Sequence, residues 1–304
     1  MHKSLSLKTE ILSVAIATYN GEVYIKKQIE SILAQTLKPD EIIICDDCSS
    51  DKTFEILTEI CNIEPTIKLY KNNLQLGVIK NFEKAISLCS GIYIALSDQD
   101  DIWEPLKLEK QLSEINKYEL KFDKSFPLLC VHDLTTISHD GNLIDLSLWN
   151  KLGNNPGVPD NNILFANKYY GCTMLFNKAL KEIILPFPDI LPMHDHWIAL
   201  NAFYLGRIIT IKNYSLIKYR RHKKNITSIP LKISIIQRLN KYLTNLFGKD
   251  FKQKEIMQAI EFYERYSNNI LKENVKKLKF IIYMEKYNNI IRKIFFSIKY
   301  RFAK

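Results

Sequence analysis

The sequence contains no long apolar segment and no apolar leader. Its first ten residues, MHKSLSLKTE, lack the hydrophobic stretch that a secretory signal needs. No uninterrupted apolar run approaches the roughly 20 residues that cross a bilayer, and the longest late run covers only residues 280–284. These absences predict a cytoplasmic protein without a membrane-spanning helix.

A second group of metal-ligating residues is also missing. Cys45 and Cys48 form a C-x-x-C, but the sequence offers no further C-x-x-C and no H-x-x-x-H to complete a zinc site. A redox motif of this type normally opens a helix, whereas two aspartates fill this one. We therefore predict reduced cysteines that mostly pack in the core, with a metal or redox role for Cys45 and Cys48 as the alternative. The six are Cys45, Cys48, Cys61, Cys89, Cys130 and Cys172.

The net charge of +10 is distributed unevenly along the chain. Residues 231–304 contain 17 Lys and Arg against 6 Asp and Glu, whereas the preceding 230 residues contain 26 against 27. This difference predicts two modules: a domain over residues 1–229 and a basic helical region over residues 230–304.

The basic region mixes Lys and Arg with apolar residues at helical spacing, as in IIYMEKYNNIIRKIFFSIKYRFAK. A helix with one cationic and one apolar face suits the inner surface of an anionic membrane. Packing on the first module with the lysines outward explains the same pattern equally well. Nucleic acid is not expected as a partner, because no RRM, KH or helix-turn-helix pattern accompanies the charge.

Strands and helices alternate four times in the first 120 residues. Buried strands are predicted at residues 11–17, 41–45, around Leu69 and at 92–96, since each is apolar on both faces. Helical periods of apolar residues lie between and after them. Beyond about residue 122 we expect strands at 128–134, 171–176, 207–211 and 214–222, with a helix near Asp195. The pattern predicts an α/β domain with a mostly parallel sheet flanked by helices.

Carboxylates cluster where two of these strands end. Asp46 and Asp47 follow the second strand, and Asp98, Asp100 and Asp101 follow the fourth. In a parallel sheet such strand ends lie at one edge, where ligands bind. A Mg²⁺ or Mn²⁺ ion among them would offset their repulsion and could hold a diphosphate. The alternative is a solvated acidic loop that caps the following helix.

Five ordered motifs over residues 12–227 resemble the family 2 glycosyltransferases, which have the GT-A nucleotide-diphospho-sugar transferase fold. They are SVAIATYNGEVYIKKQIESILAQT, EIIICDDCSSDKT, NLQLGVIKNFEKAISLCSGIYIALSDQDDIWEPLKLEKQ, MHDHW and YRRHKKNIT. The second motif has Cys48 where the family usually has Gly. The last is similar to an R-x-H-x-x-N segment of bacterial members that build surface polysaccharides.

The resemblance implies roles in binding a nucleoside-diphosphate sugar and a Mn²⁺ or Mg²⁺ ion. Asp47 would bond the nucleobase, and Ala17 and Tyr19 would form the adjacent wall. Asp98 would face the ribose or the ion's water shell and join the ligand set, while Asp100 would be the direct ligand. Asp101 is expected to cap the next helix, and Trp103 either lines the sugar site or packs.

The resemblance also implies a catalytic base and a diphosphate clamp. Asp195 would take the proton from the acceptor hydroxyl, with inversion at the anomeric carbon. Its neighbours His194 and His196 are alternative bases or metal ligands, and a helix cap is the alternative for Asp195 itself. Arg220, Arg221 and His222 would close over the diphosphate, and His222 could also bind the metal. The alternative for each arginine is a position on a solvated basic edge without any contact to the diphosphate. All six positions are read from MHDHW and YRRHKKNIT.

These expectations describe an inverting, metal-dependent glycosyltransferase that acts on a glycan or lipid-linked acceptor. It would work in the cytoplasm or peripherally at the inner face of the cell membrane. A non-catalytic nucleotide-sugar or glycan-binding module is the alternative. A nucleotidyltransferase of the same fold would favour a Gly-rich, Lys-containing phosphate loop, and TYNGEVYIKK is not one.

Overall fold

The computed structural model describes residues 11–153, 161–164, 167–222, 225, 253–270, 275–276 and 279. The chain divides into two compact units. The first contains residues 1–160, 167–187 and 193–222, and the second contains 161–166, 188–192 and 223–304.

The first unit begins with the predicted alternation of strand and helix. Its elements are β1 (Leu12–Thr18), α1 (Ile25–Leu33), β2 (Glu41–Asp46), α2 (Thr53–Cys61), β3 (Ile67–Lys71), α3 (Val78–Leu88) and β4 (Tyr93–Ser97). The four strands pair in parallel in the order β3-β2-β1-β4. All six residues of β2 are buried, as expected for a strand covered on both faces. The prediction of an α/β fold is confirmed.

The second half of this unit adds mixed pairing. Its elements are β5 (Ile102–Trp103), α4 (Lys107–Glu119), β6 (Leu128–Ser138), β7 (Leu143–Asp145), α5 (Leu148–Leu152), β8 (Leu175–Asn177), α6 (Lys178–Ile184), α7 (His194–Leu205) and β9 (Arg207–Arg221). The sheet continues from β4 through β8, β6 and β9 to β5, and β7 pairs with β6. Strand β8 runs antiparallel to both β4 and β6, whereas β6 and β9 are parallel.

Two predicted boundaries differ from the structure. The strand expected at 171–176 starts as a 3-10 turn at Gly171–Thr173 before β8. The two strands expected at 207–211 and 214–222 are the single strand β9, which contains Asn213 at a φ of 64°. The helix after the acidic loop begins at Lys107, because Trp103 belongs to β5 and pairs with Ile217.

The second unit is described only in parts. Residues Asn161–Leu164 form a 3-10 turn, and α8 (Gln253–Tyr266) is a helix whose Ala259 and Phe262 are buried. Most of the predicted basic region lies outside the described residues, so its boundary and role stay predictions. Among the described helices, none is both long and apolar enough to span a bilayer.

Candidate active site

Two turns at the carboxyl ends of β1 and β2 interlock through hydrogen bonds. We call residues 19–22 and 49–53 the paired turns. The amide of Asn20 donates to Ser49 Oγ (2.9 Å), and Ser50 N donates to Asn20 Oδ1 (2.8 Å). Gly21 N donates to Thr53 Oγ1 (2.7 Å). Because most of these bonds use backbone amides, the two turns form one rigid edge of the site.

Tyr19 and Ala17 lie at this edge, as predicted for a donor-binding wall. Tyr19 is 43% exposed at the mouth of the site, and Ala17 is half-buried in β1. The side chain of Gln99 accepts a hydrogen bond from Tyr19 N (2.8 Å) and donates one to Tyr19 O (3.0 Å). This contact, which the sequence did not reveal, joins the wall to the loop after β4.

Asp47 has a full set of partners in the structure. It is buried, and its Oδ1 accepts from Asn72 Nδ2 (2.8 Å) and Leu76 N (2.7 Å) while Oδ2 accepts from Gly77 N (2.8 Å). The carboxylate therefore fixes the segment between β3 and α3. Its predicted role toward a nucleobase stays a prediction.

The backbone at Cys48 shows why glycine is the usual residue at this position of the motif. Cys48 has a φ of 61°, in the left-handed region that glycine adopts without strain, and its Sγ contacts Asn72 O at 3.1 Å. All six cysteines lie among the described residues, and none of them forms a disulfide. Burial raises the pKa of Cys45 to about 11, which disfavours a reactive thiolate there.

The loop of residues 98–101, which we call the acidic loop, brings three carboxylates together. Burial, followed by the charges of Asp100 and Asp195, raises the pKa of Asp98 to about 7. Burial, followed by the charges of Asp100 and Asp98, also raises the pKa of Asp101 well above its ordinary value. The prediction that Asp101 caps the following helix is wrong, because its Oδ1 accepts from Arg220 N (3.0 Å).

His222 meets the acidic loop directly. Its Nε2 lies 2.7 Å from Asp100 Oδ2, and its ring stacks on Tyr24 with the centroids 5.2 Å apart. A carboxylate and an imidazole therefore meet at one point, although 122 positions separate them in the sequence. The structure thus brings together two residues that were predicted as metal ligands, and that role stays a prediction.

The two arginines before His222 have different surroundings. Arg220 is buried, donating through Nε to Asp100 O (2.9 Å) and through Nη1 to His139 O (2.9 Å). It is therefore a support for the acidic loop. Arg221 is the next residue on the strand and lies on its other face. It lowers the pKa of Asp145, after the larger effect of Lys151.

Asp195 lies in the first turn of α7. Its Oδ2 accepts from Gly171 N at 3.2 Å. Burial raises the pKa of Asp195 to about 6, against the opposing hydrogen bonds from Gly171, His196 and Asn167. Its charge also raises the pKa of Asp98, so the two carboxylates lie within electrostatic reach. A carboxylate with a pKa near 6 suits a general base at neutral pH.

The histidine beside Asp195 does not suit that role. His194 is buried and stacks on Phe82 with the ring centroids 4.0 Å apart, and burial lowers its pKa to about 3. His196 is buried as well. Both imidazoles are buried, whereas Asp195 is half-buried, so Asp195 stays the predicted base.

Two further buried residues, Lys107 and Cys172, lie near the acidic loop and were not predicted from the sequence to belong to the site. Lys107 is fully buried with its Nζ 3.7 Å above the ring of Trp103, and burial lowers its pKa to about 7. Trp103 is itself 3% exposed, which fits its packing interpretation. Ligand atoms of Asp98, Asp101 and Cys172 lie within 4.8 Å of one another. A lone sulfur in an apolar stretch gives no sequence signal of this position.

The residues present fit a hard divalent cation. Asp98, Asp100 and His222 offer carboxylate and imidazole donors, which Mn²⁺ and Mg²⁺ accept. Burial raises the pKa of Asp98 most, and repulsion from Asp100 and Asp195, which a cation at this point would relieve, raises it further. The site thus combines the edge predicted to bind the donor, a set of residues that suits a cation and a carboxylate with a raised pKa.

Comparison with known proteins supports the same interpretation. The family model for glycosyl transferase family 2 matches residues 13–184. An uncharacterized glycosyltransferase of Haemophilus influenzae is 27% identical over 319 residues, covering 95% of this chain and 91% of that protein. The Escherichia coli UDP-Glc:alpha-D-GlcNAc-diphosphoundecaprenol beta-1,3-glucosyltransferase WfaP is 37% identical over 116 residues, covering 38% of this chain and 45% of that protein.

Solved structures match the fold of the chain. Staphylococcus aureus TarS 1–349, crystallised with UDP-GlcNAc, gives a TM-score of 0.60 at 18% identity over 89% of this chain and 70% of that one. The Pyrobaculum calidifontis mannosyltransferase PcManGT, in complex with GDP-Man and Mn²⁺, gives 0.51 at 16% identity over 83% and 64%. At such low identity these likenesses bear on the fold alone, and they agree with the expected GT-A fold.

Proposed function

The chain belongs to glycosyltransferase family 2, and from this premise we propose that it is an inverting, metal-dependent enzyme of surface-polysaccharide synthesis. It would transfer a sugar from a nucleoside-diphosphate donor to a glycan or lipid-linked acceptor in a bacterium. The observation that carries the proposal is the convergence of Asp195 and the Asp100–His222 pair around Asp98.

The proposed base is Asp195. With a pKa of about 6 it is mostly ionised at pH 7, and it can take a proton from an acceptor hydroxyl that attacks the anomeric carbon. The amide of Gly171 holds one carboxylate oxygen, which fixes the direction of the other. Attack from the side opposite the diphosphate inverts the configuration.

The proposed donor-binding residues lie at the paired turns and in the acidic loop. Tyr19, with Ala17 beside it, would support the nucleoside, and Asp47 would act on the base directly or through the segment that it fixes. Asp98, Asp100 and His222 would hold a Mn²⁺ or Mg²⁺ ion. When bound, that ion supplies positive charge for the departing diphosphate. Arg221, whose charge lowers the pKa of Asp145, would bind the diphosphate.

Three similar proteins support the substrate class. WfaP is named for a diphosphoundecaprenol-linked acceptor, and the TarS and PcManGT structures contain UDP-GlcNAc and GDP-Man. A lipid-linked acceptor would suit a protein that lies at the inner face of the membrane through its basic region, residues 230–304. Flotation with and without anionic lipid tests that contact, and indifference to lipid charge would contradict it.

The decisive experiment separates catalysis from binding. UDP-, GDP- and dTDP-sugars are screened for donor hydrolysis and thermal stabilisation with Mn²⁺, with Mg²⁺ and with EDTA. We expect one donor class to respond only with the metal. Asp195→Asn should then lower turnover by roughly 10²–10⁴-fold with donor affinity kept. Unchanged function in this variant would instead favour the non-catalytic binding module.

A further inference from the structure

The acidic loop and the paired turns come from different parts of the sequence but lie side by side. Strands β1 and β4 are parallel neighbours, with Ile16 opposite Ser97. The chain therefore leaves both strands at the same edge of the sheet. The donor-binding edge and the proposed metal ligands are adjacent for this reason alone, and adjacency does not by itself couple them.

Gln99 connects the two segments. It is the residue between Asp98 and Asp100, and its amide group bonds both the N–H and the C=O of Tyr19, at 2.8 and 3.0 Å. A primary amide that bonds both groups of one residue in this way fixes distance and orientation together. Any movement of the acidic loop is thus transmitted to the backbone of Tyr19.

Gly21 makes room for this contact. A Cβ placed on Gly21 would lie 2.4 Å from Gln99 Oε1 and 2.7 Å from its Cδ. Gly21 is not among the described glycines with positive φ, so alanine suits its backbone. The position needs glycine because the Gln99 amide occupies the space that a methyl group would fill.

We propose that Gln99 is a positioning residue that couples the donor-binding edge to the acidic loop, so that nucleotide and divalent cation strengthen each other's binding. This inference rests on the proposed function. We call the two hydrogen bonds between Gln99 and Tyr19 the Gln99 clamp. Coupling of this kind is reciprocal: a cation that orders the acidic loop also orders Tyr19 through the Gln99 clamp, and a nucleotide that orders Tyr19 also orders the acidic loop. The metal–diphosphate contact adds a direct effect that does not depend on Gln99.

The Gln99 clamp itself can be tested without any ligand. Gln99→Ala removes both hydrogen bonds, and Gly21→Ala displaces the amide from the other side. We expect both single variants to lower the Tm, and the double variant to lower it little further, since both changes break one contact. Additive losses, or no loss in either single variant, would overturn the Gln99 clamp.

The coupling is tested by calorimetric titration of UDP, GDP and dTDP with and without Mn²⁺. For the diphosphate that binds the wild type, we expect Mn²⁺ to raise the affinity. This enhancement should fall by about fivefold or more in Gln99→Ala and in Gly21→Ala, which is the lower range of typical couplings.

A matched control is Gln35→Ala. Gln35 is a buried glutamine whose amide, like that of Gln99, bonds backbone groups, here Ser31 O (3.3 Å), Glu104 O (2.8 Å) and Leu108 N (3.1 Å), none of which belongs to the paired turns. It should lose stability and keep the full Mn²⁺ enhancement. An equal enhancement in all variants would overturn the coupling alone. Failure of every diphosphate to bind the wild type would overturn the proposed function together with it.

Discussion

The Nε2 atom of His222 lies 2.7 Å from Oδ2 of Asp100, although 122 positions separate the two residues. One follows the last strand of the first unit and the other follows β4. Their meeting places two potential metal ligands at one point, and it also ties the end of β9 to the acidic loop.

This pair predicts a specific loss on mutation. His222→Ala should raise the Mn²⁺ concentration for half-maximal activity by about tenfold or more, because one ligand of the ion and one partner of Asp100 disappear together. The measurement is donor hydrolysis against Mn²⁺ concentration. Asp145→Asn, which removes a carboxylate bonded to Lys151 instead, serves as the control. Equal Mn²⁺ requirements in all three proteins would contradict the assignment.

The pKa of Asp195 predicts the acid limb of the activity profile. Burial raises this pKa to about 6, so the base is protonated and inactive below that pH and ionised above it. At saturating Mn²⁺, kcat should fall roughly tenfold per pH unit below about 6 and level off above it. A limb near pH 4, the ordinary range of an aspartate, would contradict the buried environment described for this residue.

The sequence predicted the first half of the fold better than the site. Strands such as β2 are buried on both faces and therefore appear in the sequence as apolar runs. These runs were enough to predict the four strands and the sheet edge at which they end. The partners of individual polar groups depend on distant segments. Arg220 bonds a carbonyl of the acidic loop, and Asp47 bonds the amides of Leu76 and Gly77. No local pattern distinguishes an arginine that binds backbone from one that binds phosphate.

The buried arginine leads to a stability prediction. Arg220→Ala should lower the free energy of unfolding by about 2–3 kcal/mol, since it removes charge-assisted bonds to Asp100 O and His139 O. Arg220→Lys keeps the charge without the planar fork and should recover less than half of that loss. Urea unfolding measures both. Arg221→Ala, on the other face of the strand, should cost less than about 1 kcal/mol. A larger loss at Arg221 than at Arg220 would contradict the supporting role of Arg220.

Cys48 distinguishes backbone strain from metal or redox chemistry. At a φ of 61° a side chain is strained, so Cys48→Gly relieves the strain while it loses the contact of Sγ with Asn72 O. These effects oppose each other, and we expect the free energy of unfolding to change by less than about 1 kcal/mol. Cys48→Val keeps a side chain and branches it at Cβ, so it should cost about 2 kcal/mol. Chemical denaturation measures the free energies of unfolding of both variants and the wild type. Zinc binding and donor hydrolysis of Cys48→Gly should match those of the wild type. Suppose that Cys48→Gly abolished zinc binding or donor hydrolysis, while Cys48→Val left the free energy of unfolding unchanged. The thiol rather than the backbone would then explain why cysteine stands in this turn.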